Sequence, residues 1–240
     1  MDTKANLIKI NYMGENFENL ATPEEREERK EILQEMKETA YSESPSPKED
    51  WDLVWVLSGP EKSLADAPKS GKRNENKDRF ETAFEIAKKV TALKLGKEYE
   101  EITEKEIISS GPDIYFNGSD DENDALRVLI KEGFLAKNYD FPAEKVIISP
   151  NLKLKHTGDQ FEKIEETVLA GKRKIVIVSS IYHLPRIRRY LKRHQGKIDP
   201  EKIVLYPADP REMPVGKTLG EIKKIPRYEK EGILPPKDKK

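Results

Sequence analysis

Apolar residues in this chain come in short dense bursts separated by long polar stretches, and the bursts take two forms. Five are runs of strand length: Trp51-Asp52-Leu53-Val54-Trp55-Val56-Leu57, Ile114-Tyr115-Phe116, Val146-Ile147-Ile148, Lys174-Ile175-Val176-Ile177-Val178 and Ile203-Val204-Leu205-Tyr206. Dense runs of this kind suit strands buried on both faces of a parallel sheet. The others recur at helical spacing. Phe80, Ala83, Phe84, Ala87 and Val90 fall on one face, as do Ala125, Leu126, Leu129 and Ile130 before Gly133, and Phe161, Ile164 and Val168 before Gly171. A last helix from Pro185 to about His194 turns Ile187, Tyr190 and Leu191 inward and its arginines and lysines outward. Strand and helix alternate, which predicts a three-layer α/β/α sandwich: a Rossmann-like, mainly parallel sheet of about five strands with right-handed crossovers. Spacing alone leaves the strand order open.

The flanks read differently. Residues 1–50 carry an apolar patch at Leu7-Ile8-Lys9-Ile10 and a charged helix starting at Thr22-Pro23-Glu24-Glu25, whose narrow stripe of Ile32, Leu33 and Met36 predicts loose packing. Tyr41-Ser42-Glu43-Ser44-Pro45-Ser46-Pro47 then reads as a linker. The α/β domain spans 51–208. From Asp209 to Lys240 the chain is rich in proline, lysine and glutamate, which predicts an extension wrapping the surface and fraying after Pro235. Two capping boxes are expected, Thr103 with Glu106 and Thr157 with Gln160.

Composition narrows the partners. Of the 240 residues 37% are charged and 35% apolar, and 44 Lys and Arg stand against 45 Asp and Glu, a net charge of -1. Such a balance gives no global field for nucleic acid or an anionic membrane. The absence of cysteine excludes disulfides, thiolate metal sites and cysteine nucleophiles, and only His156, His183 and His194 supply imidazole. Met1 to Asn11 has no apolar core followed by a small-residue cleavage site, and no apolar run is long enough to span a bilayer, so a soluble, cytoplasmic protein without a membrane anchor is expected. Neither a Gly-x-Gly-x-x-Gly fingerprint nor the full Gly-x-x-x-x-Gly-Lys-Ser/Thr phosphate loop is present.

Candidate chemistry gathers where the fourth strand ends. Ser179, Ser180, Tyr182, His183 and Arg186 arrive there, and open α/β sheets bind ligands at the carboxyl ends of their strands. His183 suits acid-base work near neutral pH, with Ser180 as nucleophile or hydrogen-bonding partner. A plainer reading stays open, in which Ser180 caps the helix and His183 satisfies a local carbonyl. Asp120, Asp121 and Glu122 offer hard oxygens to a divalent cation, but an acidic helix start is ordinary dipole complementarity, and no metal site is expected.

Taken in order, Val54-Trp55-Val56-Leu57-Ser58-Gly59, Asp78-Arg79 opening a helix, Asn117-Gly118, His156-Thr157-Gly158-Asp159-Gln160 and Ser180-Ile181-Tyr182-His183-Leu184-Pro185-Arg186 resemble the bacterial YdcF-like family, the domain of unknown function 218 that also includes SanA and ElyC. The resemblance covers about Trp51 to Ala208, and the Ser-x-Tyr-His-x-x-Arg segment is its most specific part. It implies a small-molecule ligand, with S-adenosylmethionine the ligand associated with YdcF-like members. Two positions depart: Pro60 stands where a further glycine is common, and Asn151 where the family carries an acid. The second departure tilts the expectation from catalysis toward binding.

With all strands parallel, the loops would bring Ser58, Gly59, Arg79, Asn117, Gly118, Thr157, Ser179, Ser180, Tyr182, His183 and Arg186 to one edge. Guanidinium forks, hydroxyls and helix amino termini favour a phosphate or carboxylate, so a small anionic or nucleoside-like metabolite is the expected partner. Arg79 and Arg186 are expected to meet a ligand rather than form surface salt bridges, because cations at helix starts oppose the dipole. The alternative is a transferase or hydrolase acting on a phosphate-bearing or amide substrate with His183 as acid or base.

Overall fold

The computed structural model describes residues 22–41, 44–59, 63–66, 74–208 and 215–235; the expected patch at Leu7-Ile8-Lys9-Ile10, Pro60 and the tail after Pro235 lie outside them. Its strands are β1 (Trp51–Val56), β2 (Asp113–Phe116), β3 (Val146–Ile148), β4 (Lys174–Ser179) and β5 (Ile203–Pro207). Its helices are α1 (Pro23–Tyr41), α2 (Glu75–Leu95), α3 (Glu104–Ser110), α4 (Asp120–Lys131), α5 (Phe134–Tyr139), α6 (Thr157–Glu162), α7 (Glu166–Leu169), α8 (Leu184–Arg193) and α9 (Val215–Lys230). The chain divides into two compact units: Pro45–Ser179 with Gly196–Ala208, and Met1–Ser44 with Ser180–Gln195 and Asp209–Lys240.

The larger unit holds the sheet, and all five strands pair parallel in the order β3-β2-β1-β4-β5. This is the expected three-layer α/β, Rossmann-like fold. Register assigns the faces. Trp51, Val54 and Val56 of β1, Ile114 and Phe116 of β2, and Val176 and Val178 of β4 share one core with Phe80, Ala83, Phe84, Ala87 and Val90 of α2. Trp55 points to the opposite face, where the Phe161 ring of α6 lies 4.9 Å away.

Local chemistry explains the helix boundaries. Asn74 caps α2, its side chain accepting from the Lys77 amide at 2.9 Å, so the helix starts a turn before the expected Asp78-Arg79. Arg79 therefore sits in the second turn, on the buried face. Gly96, at φ +63°, closes the helix in the left-handed region where glycine carries no steric penalty. Thr103 and Glu106 form the expected capping box of α3, and Ser119 and Glu122 form another that accounts for the acidic start of α4. The expected helix through Phe161, Ile164 and Val168 is two short ones, α6 and α7, because the backbone turns extended at Glu165. His156 and Asp159, rather than Thr157 and Gln160, form the box at the start of α6.

The smaller unit contains α1, α8 and α9. Thr22 and Glu25 cap α1 reciprocally, the Glu25 amide donating to Thr22 Oγ1 and the Thr22 amide to Glu25 Oε2, each at 3.2 Å. Ile32 and Met36 are 1% and 0% exposed, so α1 packs tightly where loose packing was expected. The stretch after Asp209, expected to wrap the surface, contains α9, which buries Thr218, Ile222 and Ile225. Ion pairs join these helices: Arg188 to Glu35 at 2.7 Å, Arg189 to Glu35 at 3.3 Å and to Glu229 at 2.8 Å, and Lys230 to Glu25 at 3.1 Å. No described helix is long and apolar enough to cross a membrane.

Candidate functional site

In the larger unit the chain steps outward from β1 through β2 to β3, then crosses back to lay β4 on the other side of β1. The carboxyl ends of β1 and β4 flank this reversal, the position at which open α/β sheets leave a ligand crevice. Ser58 and Gly59 follow β1 and are half-buried; Ser179 ends β4 and is fully buried. The Leu57 amide donates to the Val178 carbonyl at 3.2 Å, which ties the two ends together.

Several groups expected to face a ligand are partnered within the chain. Arg79, 1% exposed, donates from Nη1 to the carbonyls of Leu57, at 2.8 Å, and Ser58, and from Nη2 to Glu75 Oε2 at 3.0 Å. Its guanidinium clamps the loop leaving β1. The Gly59 amide donates to Asn76 Oδ1 at 2.5 Å, and Asn76 Nδ2 to Glu122 Oε1 at 3.3 Å. Asn117 accepts from Trp55 Nε1 at 2.8 Å and donates to the Gln160 carbonyl at 2.9 Å; Gln160 Nε2 reaches the Asn117 carbonyl at 2.7 Å and Ser58 Oγ at 3.2 Å. The Gly118 amide is held by Asn123 Oδ1 at 3.0 Å, and a Cβ there would approach the Phe116 ring to 2.6 Å, so glycine answers a close packing contact. Thr157 is half-buried as the first residue of α6.

The structure thus joins Ser58, Gly59, Arg79 and Asn117 through partners that sequence reasoning missed: Glu75, Asn76, Glu122 and the side chain of Gln160. Burial pushes the Glu122 carboxyl above its ordinary value, against the hydrogen bonds from Ser119 and Asn76. The one available signal was the Asn74-Glu75-Asn76 cluster ahead of an apolar helix, which reads as a cap. Beside the start of α2 lies an open cavity of about 650 Å³ lined by Asp66, Asp78 and Glu81 against a single Lys77. That acidic lining does not suit an anion.

In the loop after β3, Asn151 is held by partners on both ends of its amide. Asn151 Nδ2 donates to Asp124 Oδ1 at 3.1 Å while its Oδ1 accepts from Arg127 Nη1 at 2.9 Å. A carboxylate there would lose the donor and face Asp124 with like charge. Asp120 Oδ1 accepts from the Lys153 amide at 2.9 Å, and among the described residues no group of three or more His, Cys, Asp or Glu is placed to hold a metal ion.

Ser180, Tyr182, His183 and Arg186 belong to the smaller unit. Ser180 stands ahead of the one-turn 3-10 helix Ile181–His183 without a side-chain capping bond, and its carbonyl accepts from the His183 amide at 2.9 Å. Pro185 occupies the first turn of α8, as expected. Lys217 Nζ stands 6.0 Å from the centre of the buried Tyr182 ring. Arg186 takes Glu221 in a two-pronged grip, Nε to Oε2 at 2.6 Å and Nη2 to Oε1 at 3.2 Å. His183 Nε2 lies against Arg186 Nη2 and 3.7 Å from Glu221 Oε1. Arg186 is buried, not in a surface salt bridge, and Glu221, from the C-terminal extension, is a partner that its place in the sequence did not suggest. Neither a protein-family model, nor a curated protein, nor a solved structure matches this chain.

Proposed function

We propose that the protein binds a small anionic or nucleoside-like metabolite at the carboxyl ends of β1 and β4, and that it is a divergent member of the YdcF-like family, with S-adenosylmethionine the first ligand to try. The reversal of strand order between β1 and β4 carries this reading, because it puts Ser58, Gly59 and Ser179 at the ends of the two strands flanking the crevice. Arg79 serves it indirectly, holding the Leu57 and Ser58 carbonyls so that the loop presents Ser58 in one conformation. The test is a thermal-shift screen of S-adenosylmethionine, nucleotides and sugar phosphates on the parent and on Ser58→Glu. A ligand that raises the parent's Tm and leaves that of Ser58→Glu unmoved is expected. No ligand shifting the parent, or equal shifts in both, overturns the reading.

A second reading, a transferase or hydrolase acting on a phosphate-bearing or amide substrate with His183 as acid or base, draws support from the Glu221 carboxylate 3.7 Å from His183 Nε2. A carboxylate so placed would stabilise an imidazolium formed during proton transfer. Turnover abolished by His183→Ala with binding intact favours it; turnover unchanged excludes it.

A further inference from the structure

Among the described residues of the smaller unit Glu221 is the most enclosed carboxylate, its side chain 3% exposed, and basic groups converge on it from two helices and a turn. Arg186 contributes Nε at 2.6 Å and Nη2 at 3.2 Å, His183 stands at 3.7 Å and Lys224 at 3.3 Å. The two-pronged contact is the one a guanidinium makes equally with carboxylate or phosphate. A guanidinium and an imidazole so placed make an oxyanion receptor, and the chain fills it with its own side chain.

The helix that delivers this carboxylate is weakly built. Gly216 and Gly220 lie inside α9, and a Cβ added at either would meet nothing within 4 Å, so packing does not call for glycine at those positions. Glycine lowers helix stability wherever it is not sterically required. Pro226, also inside α9, lacks an amide and crowds the preceding turn. The helix is held by the burial of Thr218, Ile222 and Ile225 together with Glu221 itself, and near its end by the pairs of Glu229 with Arg189 and Lys230 with Glu25.

We propose that Arg186 and His183 form a binding site for an oxyanion, a phosphate or carboxylate group, that Glu221 occupies as an internal stand-in, so that an external anion enters when α9 withdraws Glu221. The site is separate from the ligand reading of the sheet's carboxyl edge and stands or falls without it. Inorganic phosphate is the probe, titrated into the full chain with the Arg186 side-chain resonance followed by NMR. Glu221→Gln is expected to bind phosphate at least tenfold more tightly than the parent, and adding Arg186→Lys to remove the gain. Gly220→Ala, which stiffens α9 with Glu221 in place, is expected to weaken the parent's binding about fourfold. If Glu221→Gln does not fold, Glu221→Asp, one methylene shorter, replaces it with a gain of the same sign. No gain in either variant, a gain that survives Arg186→Lys, or phosphate binding unaltered by Gly220→Ala overturns the proposal, as does the absence of phosphate binding in every chain tested.

Discussion

Replacing Arg79 separates its two candidate roles, because the same guanidinium that sequence reasoning offered to a ligand holds the Leu57 and Ser58 carbonyls and pairs with Glu75. Lysine has no fork and cannot serve all three acceptors, so Arg79→Lys is expected to lower stability by about 3 kcal/mol or more, the order found when one partner of a buried pair is lost. Urea unfolding measures it; an unchanged midpoint would mean the clamp is unimportant. Glu28 gives a pH signature. Burial pushes its carboxyl up to about 7, helped by a hydrogen bond to Glu229 and repulsion from that carboxylate, with Glu25 adding to the rise and Arg189 opposing it. Because the folded state holds this proton more strongly than the unfolded one, the contribution is full below the ordinary value of 4.5 and fades as pH rises through about 7. Tm followed from pH 4 to 8 should therefore fall more steeply in the parent than in Glu28→Gln, and parallel curves would contradict the assignment. At this scale the sequence disclosed which residues were unusual but not what each one touches. Arg79 stood out near a helix start, yet its role turned on Asn74 beginning that helix a turn earlier. Glu221 carried no signal, being one of many glutamates in a polar tail.

The strands were legible because each is a dense apolar run that nothing else in so polar a chain resembles. The helices were legible only where apolar spacing agreed with the caps. Phe161 and Ile164 are buried whether or not the helix continues between them, so their spacing concealed the break that makes α6 and α7 separate. In α9 two glycines, a proline and a run of lysines dilute the pattern to Thr218, Ile222 and Ile225, and propensity then argued against a helix that tertiary packing supports. The same weakness predicts its behaviour. Backbone amides in the middle of α9 should exchange with deuterium at least tenfold faster than those of α2 around Ala83 to Val90, which lie under the sheet. Exchange mass spectrometry reads the difference, and equal protection would remove the ground for treating α9 as a detachable element.

Strand order is a property of the whole molecule, and spacing could not supply it: β4 is as apolar as β1, and nothing in either run says that they are neighbours. Only the pairing Val54 with Val176 and Val56 with Val178 locates the reversal, and with it the candidate crevice. The division into units was equally illegible, since the smaller one is assembled from three separate stretches of chain. Ending the chain after Ala208 removes α9 from α1 and α8. Such a chain is expected to keep the sheet's circular dichroism while exposing apolar surface of α1 and α8, read as increased binding of a hydrophobic dye; unchanged dye binding would show that α9 covers little.

The ion pair between Glu25 and Lys230 closes a span of 205 positions. At a synthesis rate of about 5–20 residues per second, α1 leaves the ribosome about ten to forty seconds before the helix it pairs with has been made. Until the helices that follow the sheet have been made, Ile32 and Met36 form the apolar stripe of a nascent helix without its full set of partners, a target for any chaperone or neighbouring chain that recognises one. Glu221 follows Arg186 by 35 positions, so for about two to seven seconds of synthesis the chain holds Arg186 before the carboxylate that grips it has been made.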